Sequence, residues 1–215
     1  MSSADRTAER HQILLDAAFD LVGTEGWSAL TVRGVCRATR LHPRYFYQAF
    51  ADADELLVAV FDRLIGELGE AIAAAVASAA EGATPGNLMR RRARAGLEAV
   101  AHFVADDRRR ARVLYTEALG NDRLNRRRLQ AMQQFVDLLG DRAGPATQVA
   151  AYIAVGGFTN VLVAWLDGRV DVTLDELVED ATAILVAAGE AAAGVALRPA
   201  ATPGPAASRR GRSAR

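Results

Sequence analysis

Apolar residues recur at helical spacing along most of the chain, and the strict alternation that marks a half-buried strand is not sustained. The first segment shows the helical pattern at six positions, Ile13, Leu14, Ala17, Ala18, Leu21 and Val22. Gly26 then stands where such a helix would end. Alanine, leucine, arginine and glutamate, which favour helices, are prominent throughout. The pattern predicts an all-α protein whose first helix ends at Gly26.

Two capping signals predict two short helices after the first. Thr31 precedes VRGVCRA as an N-cap, so a second helix of about two turns should begin there. Pro43 fits the first turn of a third helix because its missing N–H needs no partner at that position. His42 is then the predicted cap of the third helix, which lies within LHPRYFYQAF.

A long fourth helix is predicted directly after the third. Asp52 and Glu55 have the spacing of a capping box, and an amphipathic run continues to about Ala80. The segment EGATPG then interrupts the pattern, since glycine and proline disfavour helix. A second capping box, TLDE, marks the start of the final helix. Helices beyond the interruption are predicted at 86–105, 107–119, 122–142, 146–167 and 174–193.

Composition places the chain among intracellular globular proteins. Its 215 residues are 51% hydrophobic, which is enough for a substantial core. Cys36 is the only cysteine, which excludes an intramolecular disulfide and a cysteine-cluster metal site. The first residues are polar where a signal peptide would be apolar, and charges or glycines interrupt the apolar runs. We therefore expect a cytoplasmic protein with no metal, no cofactor and no membrane span.

Positive charge is concentrated in one short region, although the chain as a whole is neutral. Basic and acidic residues number 26 each, yet residues 31–50 contain no acid. That region carries four arginines, Arg33, Arg37, Arg40 and Arg44. A local positive patch of this kind is typical of a surface that meets nucleic acid.

The predicted third helix has an apolar side and a polar, aromatic side. Phe46 and Phe50 lie four residues apart and should face inward, together with Leu41. The positions that should face outward are His42, Arg44, Tyr45, Tyr47 and Gln48. Arginine bonds guanine edges, while tyrosine and glutamine reach phosphate oxygens or base edges. Tyrosines at helical spacing can instead be core or interface residues, which is the alternative interpretation.

Short helices with a tight turn between the second and third form the helix-turn-helix pattern, in which the later helix enters the major groove of DNA. At the start of the second helix, a threonine hydroxyl and nearby backbone N–H groups are available to a phosphate. The predicted DNA contacts are Thr31, Arg33, Arg40, His42, Pro43, Arg44, Tyr45, Tyr47 and Gln48. The sequence therefore predicts a DNA-binding domain over residues 1–50.

The segment TVRGVCRATRLHPRYFYQAFADADELLVAVFD resembles the signature of TetR (tetracycline-repressor-type) transcriptional regulators. The resemblance implies that Thr31 and the outward residues of the third helix contact DNA. It also implies a helical effector-binding and dimerisation domain, which would occupy residues 51–197 here. The chain departs from the family pattern where Arg40 replaces a common turn glycine. It departs again where His42 replaces a serine or threonine cap and Ala53 replaces a lysine.

The last two predicted helices are the candidates for a dimer interface. The stretch AYIAVGGFTNVLVAWL is apolar almost all round, and its paired glycines would let another helix approach closely. Together with TLDELVEDATAILVAA it would form half of a four-helix bundle across a twofold axis, as the resemblance also implies. The predicted interface residues are Tyr152, Gly156, Gly157, Phe158, Leu177 and Ile184. The alternative is that these helices form the centre of a monomer.

The resemblance implies that the remaining C-terminal helices enclose an effector pocket. The candidate lining residues are His102, Phe103, Tyr115, Met132, Phe135, Asn160 and Trp165. Each of them has core packing as its alternative role, since a helical bundle needs large apolar residues at helical spacing.

The sequence predicts a ligand-responsive DNA-binding regulator, a repressor that binds a palindromic operator as a homodimer and is released by an unidentified small-molecule effector. An enzyme is the first alternative, but the three histidines lie far apart and no phosphate-binding loop or metalloprotease motif is present. The second alternative is an architectural protein that binds double-stranded DNA without sequence preference. Its nonspecific arm would be the chain end at 198–215, whose proline, glycine, serine and arginine content predicts a disordered basic tail.

Overall fold

The computed structural model describes residues 2–140 and 145–196, and within these ranges every regular element is helical. This confirms the all-α prediction for the described part of the chain. The helices are α1 (Ser3–Glu25), α2 (Val32–Thr39), α3 (Pro43–Ala49), α4 (Ala53–Ala80), α5 (Leu88–Ala105), α6 (Arg108–Ala111), α7 (Ala118–Gly120), α8 (Asp122–Gly140), α9 (Pro145–Leu166) and α10 (Leu174–Ala196). A 3-10 turn, Trp27–Ala29, follows α1, and a π-helical segment, Arg112–Glu117, joins α6 to α7. The predicted tail at 198–215 and the predicted helix end at 141–142 lie outside the described residues.

The first helix begins well before its apolar pattern because polar residues cap its first turn. The Ser2 hydroxyl accepts from the Asp5 N–H at 3.0 Å, and the Asp5 carboxylate accepts from the Ser2 N–H at 2.7 Å. This capping box satisfies N–H groups that a helix start would otherwise leave unpaired. At the other end, Gly26 has a φ of 97° and its N–H donates to the Val22 carbonyl at 3.0 Å. The predicted end of the first helix is confirmed.

One continuous hydrophobic core in the described residues joins the first three helices to the rest. Its members include Leu14 of α1, Phe46 of α3, Phe61 of α4, Leu114 of the π-helical segment and Leu162 of α9. The fourth helix contributes buried side chains along its first half, at Leu56, Leu57, Val60, Phe61, Leu64 and Leu68. The fourth helix therefore packs against α1 on one side and against α5 and α8 of the C-terminal part on the other.

The predicted helix at 107–119 is not a regular α-helix, since its middle is the π-helical segment. A π-helix brings residues five apart onto one face, whereas an α-helix pairs residues three or four apart. Arg112 and Glu117 have the wider spacing, and the Arg112 Nε donates to Glu117 Oε1 at 2.8 Å. The wider turn directs both side chains toward the end of α1, which accounts for the departure from α-helix.

The ninth helix is apolar but largely uncovered by its own chain. By length and composition alone, the stretch Gln148–Leu166 is apolar enough to cross a membrane, yet only 11% of it is buried. The helix packs against α8 and α10. The core helix of a single globular chain would be mostly buried, so α9 presents an apolar face suited to another surface.

Candidate nucleic-acid interface

The turn between α2 and α3 is built around Arg40. Its backbone is left-handed, with a φ of 56°, a conformation that glycine adopts more readily than arginine. The neighbouring Thr39 hydroxyl donates to the Val35 carbonyl at 2.9 Å and accepts from the Leu41 N–H at 3.3 Å. These contacts end α2 and direct the chain into α3.

Both short helices carry the caps that the sequence predicts. Thr31 Oγ1 accepts from the Gly34 N–H at 3.0 Å. His42 Nδ1 accepts from the Arg44 N–H at 3.2 Å, and Pro43 occupies the first position of α3. Because side chains satisfy these first-turn N–H groups, the two helix starts are fixed without a bound partner.

The apolar side of α3 anchors the helix to the protein, as predicted. Phe46 is fully buried and Phe50 is 4% exposed, and their ring centroids lie 6.1 Å apart. The His11 ring of α1 stacks on Phe50 with a centroid distance of 4.8 Å. Leu41 is partly buried against the same core. These contacts fix the rotation of α3 about its axis, so its opposite side points away from the core.

The side of α3 opposite the core presents polar and aromatic side chains. Tyr47 is 61% exposed, while Tyr45 is half-buried. The other predicted DNA contacts are exposed, namely Thr31, Arg33, Arg40, His42, Pro43, Arg44 and Gln48. All the predicted contacts therefore lie on α2, on the turn or on α3, at the surface or close to it.

Two arginines cover the ring of Tyr45. The guanidinium carbon of Arg10, which belongs to α1, lies 4.5 Å from the ring centroid. The guanidinium carbon of Arg44 lies 4.7 Å from the same centroid, and its Nη2 donates to the Tyr45 hydroxyl at 3.1 Å. A guanidinium over an aromatic face is attracted by the negative potential of the ring.

Five arginines lie at this surface, and none of them pairs with a carboxylate of the described residues. They are Arg10, Arg33, Arg37, Arg40 and Arg44. Two carboxylates of α1 pair with arginines of later helices. Asp16 pairs with Arg63 of α4 at 2.6 Å. Asp20 pairs with Arg109 of α6, also at 2.6 Å. Ion pairs thus neutralise α1 where it meets the C-terminal helices and leave the α2–α3 surface positive.

The end of α1 is fastened to the π-helical segment by hydrogen bonds. Glu117 Oε2 accepts from the Trp27 N–H at 2.9 Å. Arg112, which pairs with Glu117, donates through Nη1 to the Thr24 carbonyl at 2.6 Å. The side chain of Glu117 is only 12% exposed, so these bonds are shielded from water. They hold the first three helices at a defined position against the C-terminal helices.

Arg109 forms a second junction with α1. Besides its pair with Asp20, its Nη2 lies 2.7 Å from Asp107 Oδ2, and hydrogen bonding from Arg109 holds the pKa of the Asp107 carboxyl below its usual value. Gly23 makes this close approach possible, because a Cβ at that position would lie 2.6 Å from the Cβ of Arg109.

The start of α8 contacts the first half of α4 through two arginines. Arg123 Nη1 lies 3.5 Å from Asp52 and 3.7 Å from Asp54, in the first turn of α4. Arg127 Nε donates to Asp62 Oδ1 at 2.5 Å, and this hydrogen bond raises the pKa of Arg127. These pairs connect α8 directly to the helix that follows α3.

The predicted effector-pocket residues are distributed over the C-terminal helices. A pocket of about 170 Å³ between α5 and α10 is lined by Glu98, His102, Leu174, Asp175 and Val178. Among the predicted effector-pocket residues, His102 lines this pocket. Trp165 Nε1 donates to the Val172 carbonyl at 2.8 Å and thereby closes the turn between α9 and α10. Burial raises the pKa of Tyr115 to about 12.

The other predicted pocket residues differ in exposure. Phe103 is buried in the core beneath the Arg110 guanidinium, whose carbon lies 4.4 Å from the ring centroid. Met132 and Phe135 are half-buried on α8. Asn160 is exposed, and its amide donates to the Gly156 carbonyl at 2.8 Å. Asn160 therefore lies at the surface of α9, whereas Phe103 belongs to the core.

The exposed residues of α9 share one side of the helix. Val149 is 60% exposed and Ile153 is 66% exposed. The exposed or half-exposed positions of this side are Val149, Tyr152, Ile153, Gly156, Gly157, Asn160 and Val161, which are spaced three or four residues apart. A Cβ added at either glycine would meet nothing within 4 Å, so the middle of this side is open.

The other predicted interface residues are Phe158, Leu177 and Ile184, and they do not all lie at the surface. Ile184 of α10 is 70% exposed. Leu177 is 3% exposed within the hydrophobic core, and Phe158 is half-buried against it. Leu177 and Phe158 therefore pack against their own chain.

The acidic side chains and the cysteine of the described ranges are the groups that a metal site or a reactive thiol would use. No group of three or more histidine, cysteine, aspartate or glutamate side chains is placed there to hold a metal ion. Cys36 is buried in α2, and burial raises the pKa of its thiol. The chemistry available at the α2–α3 surface is therefore positive charge and hydrogen bonding.

Arg10 and Glu117 are two contact residues that the sequence does not identify. Arg10 lies on a polar side of α1, and helical spacing indicates only that it is exposed. Glu117 meets a backbone N–H that lies 90 residues away in the chain. Both contacts depend on how helices pack in three dimensions, and no local signal reports that packing.

The fold resembles that of several solved transcriptional regulators, although no family model and no curated protein matches the chain. A regulator from Pseudomonas aeruginosa PAO1 has a TM-score of 0.71 at 16% identity, covering 92% of this chain and 96% of its own. A TetR-like transcriptional regulator from Rhodococcus sp. RHA1 has a TM-score of 0.59 at 22% identity, covering 85% and 96%. The regulator FadR from Bacillus subtilis, solved in complex with stearoyl-CoA, has a TM-score of 0.65 at 16% identity, covering 82% and 98%.

Proposed function

We propose that this chain, which has the all-α fold of TetR-type regulators, is a cytoplasmic, non-enzymatic transcriptional repressor that binds a palindromic operator as a homodimer and releases it when a small molecule binds. The observation that carries the proposal is the exposed face of α3. Arg44, Tyr47 and Gln48 project from a helix whose other side is fixed in the core, and no carboxylate of the described residues pairs with Arg44.

The α2–α3 surface has the chemistry that a DNA duplex requires. Arg44 would reach a guanine edge in the major groove, and Gln48 would reach a neighbouring base or phosphate. The exposed hydroxyl of Tyr47 suits a phosphate oxygen. At the start of α2, Thr31 would bond a second phosphate through its hydroxyl or the adjacent N–H groups. The unpaired arginines add an attraction that depends on charge rather than sequence.

The open side of α9 supports the dimer. A half-site contact by one short helix is weak, and helix-turn-helix proteins place two such helices about 34 Å apart, one turn of DNA. The exposed valine, isoleucine and tyrosine side chains of α9, with Ile184 of α10, form an apolar surface that a second copy would cover. The paired glycines would let the two α9 helices approach closely. A twofold axis through this surface gives each protomer the same contacts.

The effector is proposed to bind among the C-terminal helices, where His102 lines a pocket and where the predicted residues Tyr115, Met132, Phe135 and Trp165 also lie. Pockets for small molecules commonly measure about 300–1,000 Å³. The pocket beside His102 measures about 170 Å³, so a ligand of ordinary size would have to separate the helices as it enters. Movement of α8 would reach the first turn of α4 through Arg123. The expected coupling between effector and DNA is about 1–3 kcal/mol, or roughly 5- to 150-fold in affinity.

Selection of bound fragments from genomic DNA tests the proposal. Wild-type protein should enrich a palindrome whose half-sites lie about one helical turn apart. Arg44→Ala should cost about 1–3 kcal/mol on that sequence and relax the preference at one position of each half-site. The control is Arg91→Ala, which removes an exposed arginine from α5 and should leave binding unchanged. Enrichment of no sequence, with equal affinity for all duplexes, would instead identify a nonspecific architectural protein.

A further inference from the structure

Arg10 and Arg44 converge on one aromatic ring, although like charges repel each other. Their guanidinium carbons lie 4.5 Å and 4.7 Å from the centroid of Tyr45. The negative face of the ring attracts both cations and offsets part of that repulsion. Because Arg10 comes from α1 and Arg44 from α3, the ring also joins two helices at the positive surface.

This pair of cations has no counter-ion among the described residues. Arg10 Nη2 has a hydroxyl partner, Thr7 Oγ1, at 3.4 Å, and Arg44 Nη2 has the Tyr45 hydroxyl at 3.1 Å. Both partners are neutral. By contrast, eight arginines beyond α3 form ion pairs with carboxylates, at Arg63, Arg90, Arg94, Arg109, Arg112, Arg123, Arg127 and Arg169. The two arginines are therefore free to bind an anion of another molecule.

We propose that Arg10 of α1 contacts a DNA phosphate, and that Tyr45 is the positioning residue that holds Arg10 at the edge of α3. The inference rests on the proposed DNA-binding function and adds to it a residue from outside the helix-turn-helix. Arg10 lies on a helix that flanks α3, where a bound duplex would present its sugar-phosphate backbone and not its base edges. Arg44 keeps its role at a base edge.

The surroundings of Tyr45 favour a positioning role over base contact. The side chain is half-buried, in contrast to Tyr47, which is 61% exposed. Its hydroxyl already accepts a hydrogen bond from Arg44, and its ring already contacts both guanidinium groups. The aromatic ring, and not the hydroxyl, is therefore the part of Tyr45 that matters for Arg10. Phenylalanine should replace it and an aliphatic residue should not.

The test measures how binding depends on salt, because each phosphate contact adds about 0.9 to the slope of log affinity against log salt concentration. The full-length chain and its variants are titrated with two labelled duplexes of about 30 base pairs. One carries the sequence selected from genomic fragments and the other a random sequence. The salt concentration is varied between about 50 and 200 mM.

Arg10→Gln should weaken binding to both duplexes by the same factor and reduce the slope by about 0.9. Arg10→Lys keeps the charge and should retain most of the slope. Tyr45→Phe should bind like wild type, whereas Tyr45→Leu should lose slope as Arg10→Gln does. Arg91→Gln, which removes a distant exposed arginine, should change nothing.

An unchanged slope in Arg10→Gln would overturn the phosphate contact, and so would a loss confined to the selected duplex. Equal losses in Tyr45→Phe and Tyr45→Leu would overturn the positioning role, because they would show that the hydroxyl contacts DNA. If wild-type protein bound neither duplex at low salt, the proposed function itself would fail, and this result is distinct from the failure of Arg10 alone.

Discussion

Burial against the core raises the pKa of the Tyr115 phenol to about 12 from an ordinary value of 10.0. The folded chain therefore keeps this proton at pH values where the unfolded chain releases it. Since the folded state then binds more protons, its stability falls as pH rises. The stability that this pKa difference adds is fully present below pH 10.0 and is lost as the pH approaches about 12.

Tyr115→Phe should remove this part of the pH dependence. Between pH 10.0 and about 12, the free energy of unfolding of wild type should fall more steeply than that of the variant, by up to about 1.4 kcal/mol per pH unit. Urea unfolding at a series of alkaline pH values measures the difference. The control is Tyr47→Phe, at a tyrosine of α3 that is 61% exposed, which should run parallel to wild type. Parallel curves for Tyr115→Phe would contradict the effect of burial.

Single residues with local partners are the part of the structure that the sequence predicts best. Thr31, His42 and Gly26 act as the sequence indicates because a cap is decided within one helical turn. Phe46 and Phe50 face inward because helical spacing alone places them on one side. Glu55 is a partial exception. Its carboxylate accepts from the Ala51 N–H, one residue before the cap that a regular capping box would use.

At the scale of elements, the π-helical segment is what the sequence does not predict. Residues 112–117 have ordinary helical composition, and regular spacing favours an uninterrupted α-helix there. The wider turn is stabilised by partners on α1, above all the Trp27 N–H and the Thr24 carbonyl. Tertiary contacts therefore outweigh local preference in this segment, as they often do where a π-turn lies at a functional junction.

Glu117→Ala should loosen this junction. It leaves the Trp27 N–H without its acceptor and Arg112 without its carboxylate, so the free energy of unfolding should fall by about 1–3 kcal/mol. Chemical denaturation followed by circular dichroism measures the loss. Glu25→Ala is the matched control, since it removes an exposed glutamate close by at the end of α1. Equal stability of the two variants would show that the junction contributes little.

At the scale of the whole molecule, the open side of α9 is the surface on which the proposed dimer depends. Sequence hydrophobicity indicates that α9 is apolar all round, but it does not distinguish the covered side from the open one. The structure separates them, since Ala151 and Leu162 are buried while Val149 and Ile153 are exposed. For the same reason the sequence could not assign Leu177 to the core and Ile184 to the surface.

Ile153→Arg should convert a dimer to a monomer, because a charge would enter the centre of an apolar interface. Sedimentation analysis of wild type should show a dimer whose unfolding temperature rises with protein concentration, and the variant should lose both properties. Met89→Arg is the control, since Met89 is 72% exposed and belongs to α5 rather than to α9 or α10. A monomeric wild type, or a dimeric variant, would contradict the assignment of this surface.

The left-handed backbone at Arg40 sets two evolutionary pressures against each other. A non-glycine residue there costs about 1–2 kcal/mol relative to a relaxed conformation, so selection for foldability alone favours glycine. Under the proposed function, Arg40 would lie beside a DNA backbone, and that position favours an exposed cation instead. If the proposed function is right, related sequences that do not bind nucleic acid should carry glycine or asparagine at this turn, whereas those that bind it should retain a basic residue despite the strain.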